Sequence, residues 1–185
     1  MSFDTVTTAL AVLALVADAA VLVAVGLFVA SRLSPRVAAT LDRARDTLSP
    51  MALGLAWAAA AIATSGSLYF SVGIGLVPCN LCWYQRTAMY PLVLILGVAV
   101  LRFELTVRRF AIPLACAGVI LSAYHYQLER FPSQASPSCS LEVPCSVTLF
   151  TRLGFISIPW MALSAFALIV VLLAAARPVE AAEVP

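Results

Sequence analysis

Five apolar runs, at 6–30, 51–77, 83–101, 110–126 and 158–176, alternate with shorter polar stretches along the chain. Each comes close to or exceeds the roughly 20 residues an α-helix needs to cross about 30 Å of hydrocarbon. The breaks between them are chemically legible. Residues 32–50 are polar and carry Ser34-Pro35 and Ser49-Pro50, which predicts a loop. Val77-Pro78 closes the second run, because the residue before a proline disfavours helix. Residues 102–109 form a short charged turn, and 127–154 a long polar loop with Pro132, Pro137 and Pro144. Ser157 is expected to cap the last helix, with Pro159 tolerated in its first turn. The first run has only Asp4 as an early charge and is too long for a signal-peptide core, so it reads as a retained helix. The expected fold is an all-α membrane protein: a four-helix transmembrane bundle over 51–176, preceded by one extra transmembrane helix and a cytoplasmic loop over 1–50. A short acidic tail over 177–185 is expected to be disordered.

Composition strengthens this reading. Hydrophobic residues make up 63% of the 185 residues and charged ones 11%, with a mean hydropathy of +1.02. So short a chain has too little interior to hide that much apolar surface from water. A soluble globular enzyme and a disordered chain are both excluded. The net charge is only +2, and the eleven basic residues, all arginine, are scattered. No nucleic-acid surface is expected.

The arginines set an orientation. Eight of them (Arg32, Arg36, Arg43, Arg45, Arg102, Arg108, Arg109 and Arg177) fall in the 31–50 loop, the 102–109 turn and the tail. Three (Arg86, Arg130 and Arg152) fall in the alternate segments. The positive-inside rule puts the first set in the cytoplasm, the N-terminus outside and the C-terminus inside. Cys79, Cys82, Cys139 and Cys145 then face the oxidising side, where disulfides persist. Cys116 lies within the fourth run and reads as a packing residue.

A two-residue spacer lets Cys79 and Cys82 cycle between dithiol and disulfide at the start of a helix. There the free N–H groups and the helix dipole stabilise a thiolate. Arg86, four residues after Cys82, shares its face. Cys139 and Cys145 lie in a polar loop suited to exchange with a soluble partner. Two other readings of the pairs stay open at this point: half of a zinc thiolate site, or static staples in a non-catalytic scaffold.

The string Pro78-Cys-Asn-Leu-Cys-Trp-Tyr-Gln-Arg86 resembles the DsbB/BdbC family of disulfide-bond formation proteins, as do Gly66-Ser-Leu-Tyr-Phe70 and Met89-Tyr-Pro91. So do Tyr124-His-Tyr-Gln-Leu128, Phe131-Pro132, the loop cysteines and 154–163, over a span of roughly 62–171. The resemblance implies a membrane thiol oxidase that reoxidises a soluble thioredoxin-like, DsbA-like dithiol oxidase and passes the electrons to a quinone, ubiquinone or menaquinone. By the same resemblance Cys139 exchanges with the partner and Cys145 relays to Cys79. Cys82 faces the quinone, Arg86 stabilises the charge there, and His125 lies near the quinone. It also implies a multi-pass protein of a prokaryotic inner membrane. A vitamin K epoxide reductase-like enzyme has the loop pair before the CxxC, the reverse of the order here.

Asp18 is expected to be protonated against a helix neighbour or to handle protons, since an ionised carboxylate mid-membrane is costly. Trp83, Tyr84, Tyr124, Tyr126 and Trp160 fit an aromatic belt, with Trp83 and Tyr84 as further candidates for a quinone wall. Glu129 and Arg130 read as solvated loop charges.

Overall fold

The computed structural model describes residues 2–102, 104–134, 139 and 144–177. Five helices are long and apolar enough to cross a membrane. They are α1 (Phe3–Ser31), α2 (Pro35–Leu68), α3 (Asn80–Arg102), α4 (Arg108–Arg130) and α5 (Ile158–Ala175). No strand occurs among the described residues. The fold is that of an all-α membrane protein.

Helices α2 and α3, α3 and α4, α4 and α5, and α5 and α2 pack in turn, which closes a four-helix ring. The ring's core holds Leu92, Leu96, Phe166, Ile169 and Leu173, all fully buried. Small residues let the helices approach closely, as they do where lipid removes the hydrophobic drive for association. Ala56, Ala60, Ala111 and Ala115 have no exposed surface. At Gly118 an added Cβ would collide with the Phe166 ring. Helix α1 lies outside the ring, against α2 and α5.

Two expectations about the breaks are corrected. The polar 32–50 stretch is not a loop: α2 starts at Pro35 and runs through Pro50. Ser34, before Pro35, is extended as expected (φ −142°, ψ 123°). Ser49, before Pro50, stays helical, and its hydroxyl donates to the Arg177 carbonyl at 3.0 Å. Ser157 stands at the N-cap of α5 but makes no capping bond; its hydroxyl instead donates to the Glu129 carboxylate. The tail beyond Arg177 and most of the spacer after Cys139 lie outside the described residues.

Three arginine-bearing segments meet at one end of the bundle. Arg177 reaches Asp42 at 2.6 Å and Asp46 at 2.8 Å on the polar part of α2, and Arg108 donates to the Ala176 carbonyl. These Asp42 and Asp46 contacts, Asp42 foremost, raise the Arg177 pKa. At the other end α2 loosens into a π-helical turn over Tyr69–Gly73, and α3 begins. Such turns often mark functional sites.

Candidate redox site

The local build of the site starts at Cys79. Its carbonyl accepts the first bond of α3, from the Trp83 N–H at 3.1 Å, so Cys79 is the N-cap residue. A side chain at that position ordinarily accepts from the third residue of the helix. Here the Cys82 N–H points at the Cys79 Sγ, 3.3 Å away. The CxxC spacing therefore makes one cysteine the cap and the other the capped residue. The two sulfurs lie 2.9 Å apart, and both cysteines are free thiols.

His125, from α4, closes over this pair. It is buried, with Nε2 3.6 Å from the Cys79 Sγ. Its Nδ1 lies 3.3 Å from the Nε2 of buried Gln85. An amide nitrogen only donates, so this contact leaves Nδ1 as the acceptor and the ring proton on Nε2, facing the sulfur. The pKa of Cys79 is lowered to about 4. The hydrogen bond it shares with Cys82 is the largest cause. Burial opposes the shift, while His125 and the Cys82 N–H add to it.

Arg86 is held by Ser67 of α2. Its Nε donates to the Ser67 Oγ at 2.9 Å and its Nη2 to the Ser67 carbonyl at 3.0 Å. The guanidinium also lies over the Trp83 ring, 5.2 Å from the centroid. These contacts fix a buried-side charge whose stem shares the Cys82 face.

Cys139 and Cys145 form a disulfide with a Cα–Cα separation of 5.7 Å. Cys145 is buried against Cys79, Leu81 and Leu128, and Cys82 and Cys139 pack on the same cluster. The fold thus brings together all four cysteines, whose two pairs are separated in sequence by residues 83–138. A cavity of about 500 Å³ opens beside them, within the size range of ligand pockets. Cys79, Cys82, Gln85, Arg86, His125 and Cys145 line its polar end; Ile62, Ala63 and Phe166 are among its apolar walls.

Several sequence expectations change. Trp83 and Tyr84 are half exposed and are not among the described residues lining the cavity, which leaves them to the belt. Glu129 is not a loop charge, because α4 continues to Arg130 and carries Glu129 into the cavity wall. Arg130 stacks over Tyr126 at 5.8 Å. Asp18 accepts from the Trp160 Nε1 at 2.9 Å, so α5 supplies its partner. Cys116 is a half-buried free thiol on α4. Sequence reasoning gave no role to Gln85 or Ser67. Gln85 lay inside the quoted motif, but its partner is 40 residues away.

Comparison with known proteins identifies the family. The family described as disulfide bond formation protein DsbB matches residues 49–176. A "Probable disulfide formation protein C 2" of Bacillus anthracis is 44% identical over 121 residues, covering 65% of this chain and 86% of the relative. The "Disulfide bond formation protein C" of Bacillus subtilis (strain 168) is 45% identical over 116 residues, covering 62% and 84%. A "Probable disulfide formation protein C 1" of Bacillus cereus (strain ATCC 10987 / NRS 248) is 42% identical over 129 residues, covering 69% and 92%. No solved structure matches the chain. With the match covering more than half of its length and a CxxC pair packed on a second cysteine pair, the chain belongs to the DsbB family of membrane disulfide-bond formation proteins.

Proposed function

We propose that the chain oxidises the dithiol of a soluble thioredoxin-like partner on the extracytoplasmic side and delivers the electrons to a membrane quinone. The observation that carries this reading is the packing of both cysteine pairs at the polar end of an apolar cavity.

The exchange balances in three steps. A thiolate of the partner attacks Cys139, Cys145 leaves as the thiolate, and the second partner thiol resolves the mixed disulfide. The partner is oxidised and the loop pair is reduced. The loop dithiol then reduces an oxidised Cys79–Cys82 pair, Cys145 attacking Cys79, its neighbour in the buried cluster. Cys82 leaves as the thiolate, and Cys139 then attacks Cys145 and expels Cys79, a good leaving group because the less basic thiol leaves faster and its pKa is lowered to about 4. The Cys79/Cys82 dithiol finally gives up two electrons and two protons to re-form its disulfide.

A bound quinone would supply the acceptor for that pair of electrons and protons. The residues present suit such a group: an apolar enclosure for a ring, with Arg86 and His125 at the end where the cysteines lie. Arg86 provides a fixed positive charge beside Cys82. His125, with its proton on Nε2, holds the Cys79 sulfur as a thiolate. Ser67 and Gln85 orient these two groups and are positioning residues.

The test uses the purified full chain in detergent, a reduced thioredoxin-like dithiol oxidase and a soluble quinone. Thiol loss and quinone reduction are expected in equal equivalents. Cys82→Ser is expected to abolish quinone reduction while leaving one round of thiol exchange at Cys139–Cys145. Unchanged turnover in Cys82→Ser would overturn the reading.

A further inference from the structure

Helix α1 lies outside the family match, which begins at residue 49. It is nevertheless built into the site end of the molecule. Leu10, Leu13 and Ala14 line the same cavity as Cys82 and Arg86. Leu10 seats on Gly66 of α2, where an added Cβ would lie 3.1 Å from its Cδ1. The α1–α2 approach is thus close at the level of Arg86's holder, Ser67.

Three further contacts lock α1 in register. Arg152, in the segment after Cys145, pairs with Asp4 and donates to the Thr7 hydroxyl through Nε at 3.1 Å. Thr7 has no exposed surface. The Phe3 ring stacks edge-on with Phe70 at 6.4 Å and with Phe150 at 5.5 Å. Deeper along α1, Asp18 accepts from Trp160. A helix that merely crossed the lipid beside the bundle would need none of these. Most of α1's apolar surface does face outward: Val12, Val16 and Val23 are more than half exposed. On the cavity-lining face Ala14 is buried, while Leu13 is half exposed at the cavity's edge.

We propose that α1 is a fifth wall of the acceptor cavity, its Leu10–Leu13–Ala14 face contacting the aliphatic tail of a lipid-soluble quinone. The Arg152 link to Asp4 and Thr7 holds that wall in place. The inference rests on the quinone reading above and adds the part of the acceptor that α1 selects. The cysteines, Arg86 and His125 occupy the polar end of the cavity, while the α1 face is purely aliphatic. A redox ring at the polar end leaves the α1 face to the tail. Discrimination by α1 therefore falls on tail length, not on ring chemistry.

The experiment compares two quinones that share one ring and differ in tail length, with the purified full chain and a reduced thioredoxin-like partner. Leu13→Ala removes tail contact from a half-exposed position and Leu13→Trp fills it. Arg152→Ala releases the wall without touching the aliphatic face. Each methylene of lost contact is worth about 0.8 kcal/mol, or roughly fourfold in affinity. All three variants are expected to raise the Kd for the long-tailed quinone, measured by equilibrium binding to the oxidised chain without partner, and with it the KM, by about fourfold or more. The KM for the short-tailed quinone and the kcat should stay within about twofold. Val16→Trp, on an outward position of α1, should change neither. Leu13→Ala only removes atoms, so it keeps the test open if Trp is not accommodated. Variants with the wild-type ratio of long-tail to short-tail KM would overturn the proposal. A wild-type chain that reduces neither quinone would instead overturn the quinone reading itself.

Discussion

At the residue scale the chemistry turns on one sulfur. Cys79 is buried, which by itself disfavours a thiolate, yet its capping position gives it the Cys82 N–H, the Cys82 thiol and the His125 ring as partners. These outweigh burial and lower its pKa to about 4. The sign follows directly: a depressed pKa keeps the thiolate at all pH values above about 4 and loses it only as pH falls through that value. Alkylation of reduced Cys79 by a small haloacetamide is expected to be flat between about pH 6 and 9, where an ordinary thiol of pKa about 8.5 loses about tenfold in rate per unit. Mass spectrometry of the alkylated peptide over that range checks it, with a free cysteine peptide as the comparison. Gln85→Leu removes the donor that keeps the His125 proton on Nε2. It is expected to shift the onset of Cys79 alkylation to higher pH and to lower quinone reduction about tenfold, the worth of one hydrogen bond to a charged group. A purely structural Gln85 would leave the pH profile where it was. The sequence made the cysteines and Arg86 legible because their spacing is local. Gln85, Ser67 and Glu129 were not legible, since each acquires its meaning from a residue on another helix or from a helix end that periodicity misjudges.

At the scale of elements, the apolar runs located all five helices but misread their ends. Polar residues 35–50 contain good helix formers such as Ala38, Ala39, Leu41 and Arg43, and nothing there forbids helix except Pro50. Just before the proline, the Ser49 hydroxyl exchanges hydrogen bonds with the Arg177 backbone, 128 residues away in sequence. A reading of local pattern had no access to that contact. Close packing is the other feature hidden from composition. Gly118 sits where α4 meets the fully buried Phe166 of α5, and even a methyl group would collide with the ring. Gly118→Ala is expected to destabilise the bundle by about 1–3 kcal/mol through overpacking. Gly54→Ala, on α2, meets nothing within 4 Å and should be neutral or stabilising by up to about 1 kcal/mol. Thermal unfolding of the two variants in detergent compares them. Equal midpoints would mean that α4 and α5 do not pack as described.

At the scale of the whole molecule the two ends differ in chemistry. One end gathers Arg108 and Arg177 with the Asp42 and Asp46 carboxylates. The other gathers the cysteines, His125 and the Arg152–Asp4 pair. The sequence split eight arginines against three, and the folded chain keeps the 31–50 segment, the start of α4 and the end of α5 together. We infer from the positive-inside rule that this basic end lies in the cytoplasm, which exports both cysteine pairs to the compartment where their disulfide chemistry is useful. Intact cells carrying the chain test this with a membrane-impermeant maleimide. After mild reduction, Cys139, the less buried of the loop pair, should be labelled without permeabilisation. In a background with all five native cysteines replaced, Arg43→Cys should be labelled only once the membrane is opened. Arg43 is chosen because it shares the polar part of α2 with Asp42 and Asp46 while making neither of the Arg177 contacts. The reverse pattern would invert the molecule in the membrane. It would put the partner dithiol in the reducing compartment and remove the reason for a relay that starts at the Cys139–Cys145 disulfide and ends at a cavity in the bundle.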